Sequence, residues 1–155
     1  MRLTSFTDYS LRVLMFLATR PEHRGTIAEI AAAFDISENH LMKVVHFLGR
    51  EKLLTTSRGK YGGIALSQAP SAINLGRVVR ITETSTMPAE CFDRKNNHCV
   101  ITPVCQLKGV LMEAVKAFNT TLDRYTLADV TGNQEELAGL LFAKSAPRTK
   151  ARAIA

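Results

Sequence analysis

Twelve residues, Thr26 to Ser37, set the tightest limit on what this chain can fold into. They open with Thr26-Ile27-Ala28-Glu29, the pattern of a capping box, in which a threonine hydroxyl and a glutamate carboxylate satisfy free amides at the start of a helix. Apolar residues run on to Phe34, and Asp35-Ile36 separates them from Ser37, a good N-cap in its own right. A short helix must therefore turn within a few residues into another. In that next helix Leu41, Val44, Val45 and Leu48 recur at three- and four-residue steps and make one apolar face. Upstream, Leu11, Leu14, Leu17 and Ala18 predict an amphipathic helix from about Thr7 to Ala18, ended near Pro21 and Gly25. A short helix, a tight turn and a second amphipathic helix make a helix-turn-helix.

Leu53 to Ser57 and Ile64 to Leu66 are strand-like, and Arg58-Gly59-Lys60-Tyr61-Gly62-Gly63 lies between them. This predicts a β-hairpin whose glycines supply positive φ at the tip while two cations project from it. The expected fold is mainly α: a winged helix-turn-helix DNA-binding domain with a small β-hairpin wing, followed by a long C-terminal dimerisation helix. With the apolar face of the third helix buried, Glu38, Asn39, His40, Lys43, His46 and Arg50 lie on its remaining surface. On double-stranded DNA, Asn39 can pair with adenine, Lys43 can reach guanine or phosphate, and His40 can donate to either. A solvated helix face is the plainer reading of the same residues. In the wing, Arg58 suits a narrow minor groove and Lys60 a phosphate.

The second half has another grammar. Ser71 is expected to cap a fourth helix through Ile73, Gly76, Val79 and Arg80, and residues 84–103 read as a loop. From about Pro103 to Tyr125 a long helix follows, with Val104, Leu107, Leu111, Ala114 and Phe118 in one stripe and Val110, Val115 and Leu122 in a second. Two apolar stripes on one helix suggest a homodimer; closure of the chain's own core is the alternative. The organisation is thus residues 1–83 for DNA binding, 84–103 a cysteine-bearing loop, 104–143 a dimerisation helix and packing segment, and 144–155 a basic tail expected to be disordered.

All three cysteines of the chain, Cys91, Cys99 and Cys105, fall within fifteen residues of one another. One disulfide would leave a sulfur over, so pairing alone does not account for the set, and a metal does. No apolar run approaches the ~18 residues of a membrane span, and nothing at the N-terminus looks like a secretion signal, because Asp8 precedes the apolar stretch, Arg12 interrupts it, and its spacing is helical. A cytoplasmic protein with no membrane partner is expected, and in a reducing compartment clustered cysteines are more often ligands than cross-links. The net charge of +6 is concentrated at the two ends: residues 1–60 hold nine Lys/Arg against six Asp/Glu, and residues 144–155 hold four against none. Such asymmetry favours a polyanion such as nucleic acid. The chain lacks a C-x-x-C pair, a glycine-rich phosphate loop and an evident nucleophile with its base, which argues against an enzyme. A zinc-stabilised interaction module using the three cysteines and His98 is the other reading of the thiols.

The sequence resembles the bacterial winged-helix repressors that carry an iron-sulfur cluster. The resemblance runs to about Phe142 and rests on MRLTSFTDYSLRVL at the start, SENHLMKVV in the third helix, RGKYGG in the wing, ECF and VITPVCQLK around the cysteines, and DRYTLADV after the long helix. Within that family the blocks look most like the nitric-oxide-sensing NsrR group. The iron-responsive RirA group comes next, sharing the cysteine spacing and the ECF. IscR-like members carry a histidine three residues after the third cysteine, where this chain has Lys108, which cannot ligate iron while protonated. The resemblance implies a 4Fe-4S or 2Fe-2S cluster on Cys91, Cys99 and Cys105, with Asp8 of the partner subunit as fourth ligand and nitric oxide as signal. Asp8 also suits a helix N-terminus through its charge alone. Asp93 and His98 are rival ligands within the loop.

Overall fold

The computed structural model describes residues 2–57, 59, 62–83, 87–93 and 95–142. The wing cations Arg58 and Lys60 and the basic tail lie outside the described residues. Among the described residues the elements are six α-helices and one small sheet: α1 (Ser5–Thr19), β1 (Arg24–Gly25), α2 (Ile27–Phe34), α3 (Glu38–Arg50), β2 (Leu54–Ser57), β3 (Gly63–Leu66), α4 (Leu75–Thr82), α5 (Gln106–Asp123) and α6 (Gln134–Phe142).

The local signals act as the sequence anticipates in the first half. Thr26 and Glu29 form the reciprocal capping box of α2, and Asp35 ends that helix in the left-handed conformation at φ 54°. Ser37 then accepts from the His40 amide to open α3. Its face of Leu41, Val44, Val45 and Leu48 is buried against Val13, Leu14, Phe16 and Leu17 of α1 in one continuous core.

The sheet has a third strand that the alternation of apolar residues does not reveal. β3 lies between β2 and β1, antiparallel to both, with Thr56 opposite Ile64 in the hairpin and Gly25 opposite Ile64 on the other side. A two-residue strand carries no periodicity for a pattern to detect. Gly63 is needed where β1 closes on the hairpin, because a side chain there would place its first carbon 2.7 Å from the Gly25 carbonyl oxygen. At the hairpin tip Gly59 adopts φ 103° and its carbonyl accepts from the Gly62 amide.

The fourth helix begins later than its sequence suggests. Pro70–Ala72 is a single 3-10 turn, and Asn74, not Ser71, caps α4 by accepting from the Arg77 amide at 2.9 Å. The Asn74 amide also donates to the Asp123 and Tyr125 carbonyls, so one side chain joins the start of α4 to the end of α5. Gly76 lets the two helices meet there, since a Cβ would fall 2.9 Å from the Asp123 backbone nitrogen. Beyond α5, Leu127 enters the main core with no exposed surface. α6 then returns to α1, where Phe142 meets Phe16 edge to face at 5.2 Å and Gln134 donates to the Thr19 carbonyl.

The Glu29 carboxylate is pushed up by partial burial, but hydrogen bonds from the Thr26 hydroxyl and amide and from Arg20 outweigh this and hold it below its ordinary value of 4.5. A carboxylate lowered on folding stabilises the native state above its unfolded value, and that stability is lost as pH falls through the folded one. Glu29→Gln is therefore expected to unfold more easily than wild type at neutral pH and to lose the part of the acid sensitivity that sets in below about pH 4.5. Thermal melts of both proteins from pH 7 to pH 3 check this, with the difference between them narrowing on the acid side.

Candidate DNA-binding face and cysteine segment

α3 is held by its apolar face, so its opposite face is fixed in orientation and open to solvent. Glu38, Asn39, His40, Lys43, His46 and Arg50 are all exposed, as their phase on the helix requires. None of the three salt bridges found among the described residues engages Lys43 or Arg50. His40 differs from the rest, since its ring lies 6.3 Å from that of Tyr9 on α1. Met42 is exposed on the same face. Sorting the helix into apolar-in and polar-out sets overlooks it, although its position, three residues after Asn39 and four before His46, already places it outward.

The cysteines occupy a segment of short turns. Cys91 lies in the 3-10 turn Glu90–Phe92, and Cys105 follows the 3-10 turn Thr102–Val104 and is the N-cap of α5. Cys99 is held between them by a local network: its amide donates to the Asn97 side chain at 3.1 Å and its carbonyl accepts from the Thr102 hydroxyl at 2.8 Å. All three thiols are free and half-buried. The structure does not draw them onto one centre, for among the described residues no three His, Cys, Asp or Glu side chains converge in a metal-binding arrangement. As a donor set they nonetheless fit an iron-sulfur cluster, because they are soft, unpaired and carried on turns rather than locked into the core.

The rival ligands have other engagements. The Asp93 carboxylate accepts from the Lys95 amide at 2.9 Å and the Asn96 side chain at 2.7 Å, and the bond from Asn96 leads in holding it below the ordinary carboxylate range. His98 is exposed. Lys108 places its ammonium 5.9 Å from the centre of the Phe92 ring, bridging the first turn of α5 to the turn that bears Cys91. Asp8 lies in the first turn of α1, where Arg12 grips it at two points, 3.1 and 2.9 Å.

Glu83 escapes sequence inspection. It ends α4, and one of its carboxylate oxygens accepts from the Thr4 amide at 3.0 Å, the Thr4 hydroxyl at 3.3 Å and the buried Thr7 hydroxyl at 2.7 Å. The residue from which the cysteine segment departs thus ties down the opening of α1. Its partners are more than seventy residues away, a separation that no local pattern records.

A tri-helical core with a helix-turn-helix, a hairpin packed beside it and an exposed polar third helix defines a winged-helix DNA-binding protein. The family model Rrf2, described as an iron-dependent transcriptional regulator, matches residues 3–133. The chain belongs to the Rrf2 family of transcriptional regulators. The HTH-type transcriptional regulator NsrR of Bacillus subtilis strain 168 is 51% identical over 145 residues, which span 93% of this chain and 99% of that protein. Regulators of the same name from Halalkalibacterium halodurans and Geobacillus kaustophilus are 46% and 49% identical, covering 93% and 91% of this chain and 99% and 97% of theirs. Among solved structures, CymR, the global cysteine regulator of B. subtilis, superposes with a TM-score of 0.69 at 25% identity, over 86% of this chain and 98% of that one. T. potens IscR superposes with a TM-score of 0.68 at 23% identity, over 88% and 90%, and shares the fold. These relatives are named as regulators, not as enzymes. Among the described residues no helix is long and apolar enough to cross a membrane.

Replacing Glu83 by alanine would leave the buried Thr7 hydroxyl and the Thr4 amide without their long-range acceptor. A charged hydrogen bond of this kind contributes about 1.5–3 kcal/mol. Glu83→Ala is expected to lose that amount in urea denaturation, and Glu83→Gln to recover part of it.

Proposed function

We propose that this chain is a homodimeric transcriptional repressor whose affinity for its operator is set by an iron-sulfur cluster held by Cys91, Cys99 and Cys105, with nitric oxide as the signal. The observation that carries the proposal is the donor set: three free, half-buried thiols and no fourth cysteine, on the segment that joins the DNA-binding part to α5. The similarity to regulators named NsrR over more than nine-tenths of the chain supports it.

With three cysteine thiols in the chain the fourth ligand is a different group, and Asp8 of a second copy is the residue proposed. Within one chain Asp8 is tied to Arg12, so ligation would exchange an exposed ion pair for a bond between subunits. Exposed pairs contribute about 0–1 kcal/mol, so the exchange costs little. When bound, the cluster supplies iron that is reactive toward nitric oxide. The protein's part is mechanical. Cys105 stands at the start of α5, which packs on α4, and Glu83 ties the start of α1, which packs on α3 and α4, so the two ends of the cysteine segment abut helices linked to α3 through α1.

A second copy also accounts for α5, on which no residue is buried and Val104, Leu107 and Val110 beside and along it are 81%, 61% and 61% exposed. Leu111, Val115, Phe118 and Leu122 are half-buried on the side that meets α4. The exposed stripe is the proposed dimer face. In a dimer on DNA the two α3 helices would meet successive major grooves, about 34–36 Å apart. The phrase iron-dependent in the family description favours a second reading, in which iron supply is the signal.

Protein purified without oxygen is expected to be brown, and serine at any one of Cys91, Cys99 or Cys105 should lose most of the visible absorption and the bound iron while far-ultraviolet circular dichroism stays unchanged. A colourless zinc-containing preparation would overturn the cluster. Nitric oxide should lower operator affinity of the brown form at constant iron, whereas an iron sensor would respond to chelation instead.

On DNA, Lys43→Ala should weaken binding across sequences and reduce the slope of log affinity against log salt by about 1. Asn39→Ala should instead lose about 1–3 kcal/mol of discrimination at particular base pairs. Fluorescence anisotropy over a salt series and a panel of single-base variants separates the two roles. Equal loss for every base variant with Asn39→Ala would assign it to the backbone.

A further inference from the structure

Among the described residues before Met87, one large hydrophobic side chain is exposed, Met42, with 49% of its surface open to solvent. The core does not require it, since Leu41, Val44, Val45 and Leu48 fill the inward face of α3. It stands on the outward face between Asn39 and His46, among residues able to donate hydrogen bonds. Met42 itself lines an open groove between α3, the start of α2 and β2, together with the apolar Ile27, Val45 and Leu54, and His46 and Arg50 edge it.

The surface therefore offers one apolar contact within a polar, cationic frame, on the helix that would enter the major groove. The edges of the four base pairs display donors and acceptors there and a single apolar group, the C5-methyl of thymine. Methionine is unbranched and polarizable, which suits it to cover a methyl group whose position varies slightly with DNA shape. An aliphatic chain in this place gains nothing from phosphate or from water.

We infer that Met42 is a specificity-determining residue that reads a thymine C5-methyl group in each half-site. This rests on the proposal that α3 enters the major groove, and it adds an apolar element to a face otherwise read by hydrogen bonds. Cytosine methylated at C5 carries the same methyl group, but in an unmodified synthetic duplex thymine alone does.

The test uses the full-length protein, prepared anaerobically, and duplexes that it selects from a synthetic random pool. Each thymine of the selected half-site is replaced in turn by deoxyuridine, which removes only the methyl. Wild type should lose about fourfold in affinity at one position per half-site, corresponding to the ~0.8 kcal/mol of one buried methyl group. Met42→Leu should keep that loss. Met42→Ala and Met42→Gln should bind thymine and uracil duplexes equally, with thermal melting unchanged because the side chain lies outside the core. Wild type indifferent to uracil at every position, or Met42→Ala as sensitive as wild type, overturns the inference. If Lys43→Ala and Asn39→Ala still weaken binding in that case, the α3 reading stands and Met42 alone is removed. If neither α3 variant changes binding, or the pool yields no preferred duplex, the α3 reading falls and Met42 falls with it.

Discussion

The burial of α1 governs the rest of the molecule. Val13, Leu14, Phe16 and Leu17 have at most 1% of their surface exposed, and α3, α4, α6 and the sheet all pack on this helix. Each such side chain contributes about 1.5–3 kcal/mol when withdrawn from water. No single neighbour could supply that cover, because a helix apolar over a wide arc needs partners on several sides. The direction in which α3 presents its polar residues is a by-product of this burial. Its inward face must meet α1, and the outward face has no freedom left.

The same helix has a polar beginning. Thr4 caps it, Thr7 is buried beside the cap, and the Glu83 carboxylate answers both, while Asp8 adds a second negative charge in the first turn. This is where a helix dipole most favours anions. Two carboxylates at the opening of α1 thus have separate duties: Glu83 looks inward to the chain's own hydroxyls, and Asp8 looks outward, held by Arg12.

Legibility in the sequence followed the range of the interaction. The capping box at Thr26 and Glu29, the Ser37 cap and the apolar phase of α3 are all local, and each appears in the structure where the residues place it. The two-residue β1 and the 3-10 turn before α4 are not local in this sense. One is created by the approach of β3, and the other by Asn74, which must reach the carbonyls at the end of α5. Ser71 is as good a cap by type, but it has no such partner. At the candidate site the outward positions of Asn39, Lys43, His46 and Arg50 could be read from phase alone. Met42 was hidden by its chemistry, and Glu83 by the distance along the chain to Thr4 and Thr7. The cysteines could be recognised as a set but not as a gathered site, since their spacing says nothing about the turns that carry them, and among the described residues no three potential ligands converge.

Cys105 sits at one end of an 18-residue helix and Asp123 at the other. At 1.5 Å per residue α5 is a rod about 27 Å long. Its far end is clamped: Arg80 pairs with the Asp123 carboxylate at 2.6 Å, the Asn74 amide holds the Asp123 carbonyl, and Gly76 leaves no room for slip. A rod pinned at one end amplifies small rotations at the other. A tilt of about 5° about the clamp would carry the Cys105 end through roughly 2 Å. Conversely, any force that fixes the sulfur acts on the clamp with the leverage of the whole helix, and the clamp belongs to α4, which packs directly on α1.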